Sequence, residues 1–204
     1  MRRRILAGGL LAAGFAVMAG LVLAPGLGGH AAAAEKDGPG PNLVIAVAGQ
    51  TKGEVVIDLA QDVAPRHVER IVALARAGDY DGVVVHRVIE GFLAQTGDVE
   101  FGRRGGDTAR AGMGGSQQPD LKAEFSNRPF RRGTVGMARS ASPDSANSQF
   151  FIMFDDAPHL DGQYTVVGHV VSGMDVVDAI KRGSSSRNGS VSDPDYMAKV
   201  TVQP

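Results

Sequence analysis

Residues 83 to 98 read VVVHRVIEGFLAQTGD, a stretch in which Arg87 stands among Val and Ile residues that favour β-strands. A guanidinium is always charged, and removing it from water is unfavourable unless its N–H groups meet acceptors. The pattern leaves two interpretations open. Arg87 lies either on the polar face of a half-buried strand, which is the commoner arrangement, or at the edge of an apolar pocket as a hydrogen-bond donor.

The composition is that of one globular domain. A chain of 204 residues is long enough for one sizeable core and short for two domains. The absence of cysteine excludes disulfides, thiolate metal sites and cysteine nucleophiles. The five histidines show no paired spacing, and no carboxylate cluster accompanies them, so we expect neither a metal site nor another cofactor.

The N-terminal residues 1–34 have the three parts of an export signal. Three arginines at positions 2–4 precede an apolar run from residue 5 to about residue 27, and four alanines follow at 31–34. The sequence therefore predicts a signal peptide that is cleaved before Glu35, and a periplasmic or secreted protein without stable membrane association. An uncleaved membrane anchor is the alternative, because the apolar run is long enough to span a bilayer.

Cleavage would also change the charge of the protein. It removes three positive charges and takes the formal net charge from −1 to −4. A mildly acidic protein without a basic block offers no electrostatic footprint for nucleic acid. We therefore expect no nucleic-acid partner.

The remaining chain reads as a short tether, residues 35–41, followed by one domain, residues 42–204. Short apolar patterns with turn signals between them predict strands, and Pro and Gly mark helix ends. At residues 172–175 the sequence Ser-Gly-Met-Asp has the form of a capping box for the second helix. The predicted strands are 42–48, 54–59, 133–137, 149–153, 165–171 and 197–202, and the predicted helices lie between Pro65 and Gly78 and between Ser172 and Gly183. Many short strands with two short helices predict a mainly β protein with a closed or nearly closed antiparallel sheet.

Seven of the eight phenylalanines fall between positions 92 and 154. Two of them, Phe150 and Phe151, are adjacent on a predicted strand and must point to opposite faces. One can therefore belong to the core while the other lines a site. The glycine-rich segment 102–120 contains few apolar residues, so we expect a surface loop there.

Several ordered motifs together resemble the cyclophilin family of peptidyl-prolyl cis-trans isomerases, over a range from about residue 43 to residue 202. The motifs are His86-Arg87-Val88-Ile89 with Gly91-Phe92, Gln95-x-Gly97-Asp98, Gly136-Met137-Ala138, Asn147-Ser148-Gln149-Phe150-Phe151-Ile152, Leu160-Asp161-Gly162 and Val167-Gly168. The resemblance implies a closed eight-stranded antiparallel β-barrel capped by two α-helices. Together with the leader, the loops are similar to those of bacterial exported members.

The resemblance also implies the site. Arg87 matches the catalytic arginine of the family, and the other matched positions belong to substrate binding. They are Phe92, Leu93, Phe151 and Leu160 around the proline ring with Met137 behind them, Gln95 and Gln149 as hydrogen-bonding side chains, Ala138 and Arg139 through their main chain, and His86, His159 and Tyr164 at the border. The implied partners are proline-containing peptides and unfolded protein clients, and we expect a monomer.

The sequence also bears on two other functions. A serine hydrolase would need a nucleophile turn such as Gly-x-Ser-x-Gly, and the chain contains none. A chaperone or scaffold that binds proline-containing segments without isomerising them remains the alternative. Three positions depart from the common family pattern. Leu93 replaces a frequent methionine, a change that conserves volume and should be tolerated. His159 stands where many members have tryptophan, so we do not expect tight binding of cyclosporin, and Arg139 stands where asparagine is common.

Overall fold

The computed structural model describes residues 36–204. The signal-peptide and membrane-anchor predictions for residues 1–34 lie outside that range. Within it, no helix is long and apolar enough to cross a membrane. The predicted tether contacts the domain from Gly38 onward: the Gly38 amide donates to Asp58 Oδ2 at 3.0 Å, and the Pro41 carbonyl accepts from the Leu59 amide at 3.1 Å.

The described part of the chain forms one antiparallel sheet of nine strands with two α-helices. The strands are Asn42–Ala48 (β1), Gly53–Leu59 (β2), Val83–Val84 (β3), Arg87–Ile89 (β4), Leu93–Thr96 (β5), Thr134–Met137 (β6), Phe150–Met153 (β7), Val166–Ser172 (β8) and Tyr196–Gln203 (β9), and the helices are Pro65–Ala77 (α1) and Met174–Ala179 (α2). Their order in the sheet is β3-β9-β1-β2-β8-β6-β7-β5-β4. The mainly β prediction is confirmed.

The expectation of a closed eight-stranded barrel was wrong, because the sheet has nine strands and stays open between β3 and β4. These two strands are consecutive pieces of one stretch, separated only by Val85 and His86. The outer edge of β4 is covered by the loop 183–191 instead of by a strand. Val88 donates to the Gly189 carbonyl at 2.8 Å, and the Val88 carbonyl accepts from Gly183 at 3.0 Å. The edge groups are thus satisfied without closure of the sheet.

The two helices follow the predicted pattern to different degrees. Helix α1 begins at Pro65 and ends before Gly78, whose φ of 75° is left-handed, as predicted. The prediction of a capping box at α2 was wrong, because Ser172 is the last residue of β8. The N-cap of α2 is Gly173, which has a φ of 86° and makes no side-chain cap hydrogen bond. A Cβ on Gly173 would lie 2.1 Å from the Glu54 carbonyl oxygen, so close packing against β2 requires glycine there.

The apolar residues divide into a main core and a smaller cluster. Phe150 belongs to the main core, where its ring is nearly perpendicular to the Tyr80 ring and the two centroids are 5.7 Å apart. Phe151 belongs to the second cluster, with Leu93 and Leu160. The predicted division of the two adjacent phenylalanines between opposite faces of β7 is therefore confirmed.

The glycine-rich loop is held by a buried carboxylate. Asp98 is 0% exposed, and its two oxygens accept four main-chain N–H groups. Oδ1 accepts from Glu100 at 3.1 Å and from Phe101 at 2.9 Å, while Oδ2 accepts from Gly112 at 2.7 Å and from Gly114 at 2.9 Å. The loop therefore folds around a buried carboxylate whose hydrogen bonds come from its own backbone.

Candidate active site

A pocket of about 160 Å³ opens where β4, β5, β7, the two residues that follow β6 and the turn at 158–164 meet. We name it the Arg87 pocket. Its lining residues are Arg87, Phe92, Leu93, Gln95, Ala138, Arg139, Phe151, Leu160 and Tyr164. All nine were among the thirteen residues predicted from the sequence, so the fold brings the larger part of the expected site to one place.

One side of this pocket is apolar and rigidly packed. Phe151 is 3% exposed and stacks on Phe130, with ring centroids 5.8 Å apart, while Tyr164 meets it edge-on at 5.8 Å. Strand β6 supplies Gly136 opposite Phe151, and a Cβ there would lie 2.6 Å from atoms of both Phe130 and Phe151. The glycine makes room for the two rings. Phe130 is a supporting residue that the sequence analysis did not assign.

The guanidinium of Arg87 is held from two sides. Its NH1 donates to Gln95 Oε1 at 3.1 Å, its Nε donates to the Asn188 carbonyl at 3.0 Å, and its NH2 donates to Asn188 Oδ1 at 3.1 Å. Burial lowers the pKa of Arg87 below its usual range, yet an arginine stays protonated at neutral pH. Asn188 was not among the residues predicted for the site. Its Asn-Gly dipeptide indicates a left-handed turn, and the φ of Asn188 is 50°, but no local signal pairs it with Arg87.

A line of hydrogen bonds connects Arg87 to the glycine-rich loop. Gln95 Nε2 donates to Gln149 Oε1 at 2.9 Å, and Gln149 Nε2 donates to the Gly114 carbonyl at 2.8 Å. The Gly114 amide in turn donates to the buried Asp98 carboxylate. Each amide side chain thus has a defined orientation, since one atom of it accepts while the other donates.

A second, larger pocket of about 500 Å³ adjoins the first, and we name it the loop pocket. It is lined by Gln95, Gly112, Met113, Gly114, Gly115, Ser116, Asp120, Ala138, Arg139, Ser140, Ser145, Asn147 and Gln149. Gln149, predicted for the site, therefore lines this pocket and not the smaller one. Gln95, Ala138 and Arg139 line both.

Arg139 lies at the boundary of the two pockets with its guanidinium over the Tyr164 ring, 4.3 Å from the centroid. Nε and NH2 donate to the Gln163 carbonyl at 3.2 and 2.9 Å, and NH1 donates to the Ser140 carbonyl at 3.0 Å. The neighbouring Ala138 amide donates to the Gln149 carbonyl at 2.9 Å. The position predicted to act through its backbone therefore also presents a fixed charge.

The whole domain matches one protein family. The family model for "Cyclophilin type peptidyl-prolyl cis-trans isomerase/CLD" matches residues 44–202. The chain belongs to the cyclophilin family. A relative from Brucella suis, named "Probable peptidyl-prolyl cis-trans isomerase", is 63% identical over 153 residues, which cover 74% of this chain and 78% of the relative. A Helicobacter pylori "Peptidyl-prolyl cis-trans isomerase" is 40% identical over 136 residues, covering 65% and 77%.

Solved cyclophilins share the fold. The crystal structure of cyclophilin AquaCyp293 from Hirschia baltica superposes with a TM-score of 0.64 at 25% identity and covers 78% of this chain and 73% of that one. A Cryptosporidium parvum cyclophilin, crystallised in the presence of the dipeptide Ala-Pro, gives a TM-score of 0.68 at 23% identity, with coverages of 80% and 99%. The resemblance to the cyclophilin family is confirmed, and this cyclophilin is an enzyme of the peptidyl-prolyl cis-trans isomerase class.

Three predicted residues of this cyclophilin do not line either pocket. Met137 is 1% exposed and pairs with Phe150 in the main core. His159 is exposed, and its ring stacks on Phe92 with centroids 5.7 Å apart, at the rim of the Arg87 pocket. His86 lines a separate cavity of about 450 Å³, because neighbours in an extended segment point to opposite sides and Arg87 takes the pocket side.

The imidazole of His86 is neutral at physiological pH. Burial lowers its pKa to about 4, the charge of Arg87 acts in the same direction, and the Asp98 carboxylate opposes them. His86 therefore contributes no charge to the site near pH 7. Among residues 36–204, which include His86, no group of three His, Asp or Glu side chains is arranged to hold a metal ion.

Proposed function

We propose that the Arg87 pocket receives the proline ring of a peptide and that rotation about the X-Pro bond takes place there. The apolar wall of Phe92, Phe151 and Leu160 suits a ring without hydrogen-bonding groups, and Gln95 stands beside it to bond the flanking backbone. The fold neighbour that was crystallised with Ala-Pro supports a proline-containing ligand for this site.

The reaction needs no covalent intermediate. Amide resonance sets a barrier of about 18–20 kcal/mol, and the uncatalysed rotation takes about 10–100 s. As the bond twists, the prolyl nitrogen becomes pyramidal, and its lone pair is no longer delocalised into the carbonyl group. A donor aimed at that nitrogen stabilises the twisted amide and not the planar one, which is the difference that catalysis requires.

The observation that carries this proposal is the fixed guanidinium of Arg87 at the edge of an apolar pocket. Three of its five N–H groups bond to Gln95 and Asn188, which leaves two for a bound peptide. A charge-assisted hydrogen bond contributes about 1.5–3 kcal/mol, hence roughly 10- to 150-fold in rate. Desolvation of the amide by the apolar wall and orientation of the peptide by Gln95 and Gln149 supply the remainder.

The test compares Arg87→Ala and Arg87→Lys with wild type in a protease-coupled prolyl-peptide assay. We expect the alanine variant to lose at least tenfold in kcat/KM, and the lysine variant to lose nearly as much because it lacks the planar fork. Arg103→Ala, which removes an exposed arginine that bonds the Asp79 and Asp81 carbonyls, is the matched control. Equal rates in wild type and Arg87→Ala would favour the alternative, a non-catalytic protein that binds proline-containing segments.

We further propose that the enzyme acts on exported proteins and assists their folding. The support is the leader pattern of residues 1–34, followed by the Gly- and Pro-rich segment before the domain. Fractionation of the producing cells and N-terminal sequencing of the exported protein test this proposal. A protein that begins at or near Glu35 in the periplasm or medium agrees with it, whereas full-length protein in the membrane fraction would favour the anchor.

A further inference from the structure

The Arg87 pocket carries two positive charges and no negative one. Arg87 and Arg139 are the two charged residues among its nine lining residues. In residues 36–204, every hydrogen bond that these guanidiniums make goes to a neutral carbonyl or amide oxygen. Part of their N–H groups is therefore hydrogen-bonded, but none of these bonds goes to a carboxylate that would offset the positive charge. The protein around them is mildly acidic, so the positive charge is a local property of this site.

Arg139 is also held in one position before any ligand arrives. Its guanidinium lies on the Tyr164 ring and forks onto the Gln163 carbonyl through Nε and NH2. An ordered, planar cation loses little conformational entropy when it meets a ligand. The second N–H of NH2 makes none of these bonds and is open to a further acceptor.

Arg139 lies at the boundary between the two pockets. It lines both the Arg87 pocket and the loop pocket, together with Ala138 and Gln95. A peptide whose proline fills the first pocket extends past this boundary on one side. The one carboxylate of the loop pocket, Asp120, already accepts from Asn147 Nδ2 at 2.9 Å.

We propose that Arg139 selects substrates that carry Glu or Asp next to the proline. This inference rests on the proposed isomerase function. An acidic side chain at the boundary gains a charge-assisted hydrogen bond from the guanidinium, while a lysine there meets a like charge. Because Arg139 is partly exposed, the preference is moderate and sensitive to salt.

The experiment measures isomerisation by NMR exchange spectroscopy. This method needs no coupling protease, whose own sequence specificity would bias the comparison of peptides. Two peptide series carry Glu, Gln or Lys immediately before or immediately after the proline. In one of the two series we expect kcat/KM for the Glu peptide to exceed that for the Lys peptide about fivefold at low salt. The ratio should fall towards one at about 1 M salt, where the Debye length is about 3 Å.

Variants of Arg139 test whether this residue causes the preference for Glu over Lys. Arg139→Gln should bring the Glu-to-Lys ratio to about one, and Arg139→Glu should invert it, with the Gln peptide as the reference for each variant. Arg103→Gln removes the same charge away from both pockets and should keep the ratio of wild type. Equal kcat/KM for all peptides of both series in an active wild-type enzyme would overturn this inference alone. A ratio that persists in Arg139→Gln would overturn it as well, whereas no isomerisation of any peptide would overturn the proposed function.

Discussion

Arg87 and Asn188 lie 101 positions apart in the chain, yet Nε and NH2 of Arg87 both donate to Asn188, at 3.0 Å to its carbonyl and at 3.1 Å to its side-chain oxygen. The third nitrogen, NH1, donates to Gln95. The orientation of the guanidinium therefore depends on a residue of the loop 183–191 that also covers the edge of β4. This relationship makes Asn188 a positioning residue for the proposed catalytic arginine.

Asn188→Gly should lower kcat/KM about two- to tenfold, because the lost hydrogen bond from Arg87 is exposed to solvent and contributes about 0.5–1.5 kcal/mol. Glycine accepts the left-handed φ of 50° without strain, so the change isolates the lost side-chain acceptor. Asn188→Asp keeps an acceptor for NH2 and should recover most of the rate. Wild-type kcat/KM in Asn188→Gly, measured by the prolyl-peptide assay, would contradict the positioning role.

The pH profile of kcat/KM should be nearly flat from about pH 6 to pH 9, because arginine does not titrate near neutrality. Burial lowers the pKa of Arg87, but the group stays charged across this range. The pKa of His86, about 4, lies below it. Protease-free NMR exchange on a peptide without ionisable side chains provides the measurement. A bell-shaped profile would point to another catalytic group.

The stability of the folded protein should fall as the pH drops from about 6.5 to about 4. Burial, the largest cause, lowers the pKa of His86 from 6.5 to about 4 in the folded state. Between these values the unfolded chain binds one more proton than the folded protein, so acid favours unfolding by up to about 1.4 kcal/mol per pH unit. Above the pKa of 6.5 that His86 has in the unfolded chain, the imidazole is neutral in both states, so His86 adds no pH dependence to the free energy of unfolding.

Urea unfolding of wild type and His86→Gln at pH 7 and pH 4.5 tests this contribution. The variant lacks the titrating group, so its free energy of unfolding should change less between the two pH values, whatever its absolute stability. Equal changes in both proteins would show that His86 does not govern the acid response. The comparison of changes removes the effect of any packing defect that the substitution introduces.

Asp98→Asn should destabilise the protein by about 2–4 kcal/mol, because an amide cannot accept from all four backbone N–H groups and loses a buried, hydrogen-bonded charge. The two N–H groups of the new amide would face donors of the loop. Activity should also fall, since the Gly114 carbonyl orients Gln149 and through it Gln95. Urea unfolding and the prolyl-peptide assay measure the two effects.

Asp107→Asn is the matched control for Asp98→Asn. Its Oδ1 accepts only the Ala109 amide, at 3.1 Å, in an exposed turn of the same loop. An amide side chain can make that bond, so the free energy of unfolding should change by less than about 0.5 kcal/mol. Similar losses in the two variants would mean that the loop does not depend on the buried carboxylate.

Local signals predicted the elements that local physics controls. Pro65 and Gly78 bound α1 because a missing N–H and a left-handed φ act within one turn of helix. The separation of Phe150 from Phe151 follows from the alternation of side chains along any strand. The nine residues of the Arg87 pocket came from family motifs, since the chain order of Arg87, Gln95, Phe151 and Leu160 does not by itself place them together.

The sequence by itself determined the mainly β class, the bounds of α1, the family and most of the pocket lining. Only the tertiary structure decided the open edge between β3 and β4, the Gly173 cap, the hold of Asp98 on the glycine-rich loop and the pairing of Arg87 with Asn188. The reason is that these features rest largely on main-chain groups as partners. Every residue carries a carbonyl, and every residue except proline carries an N–H, so the identity of a residue gives no sign of which one the fold will use.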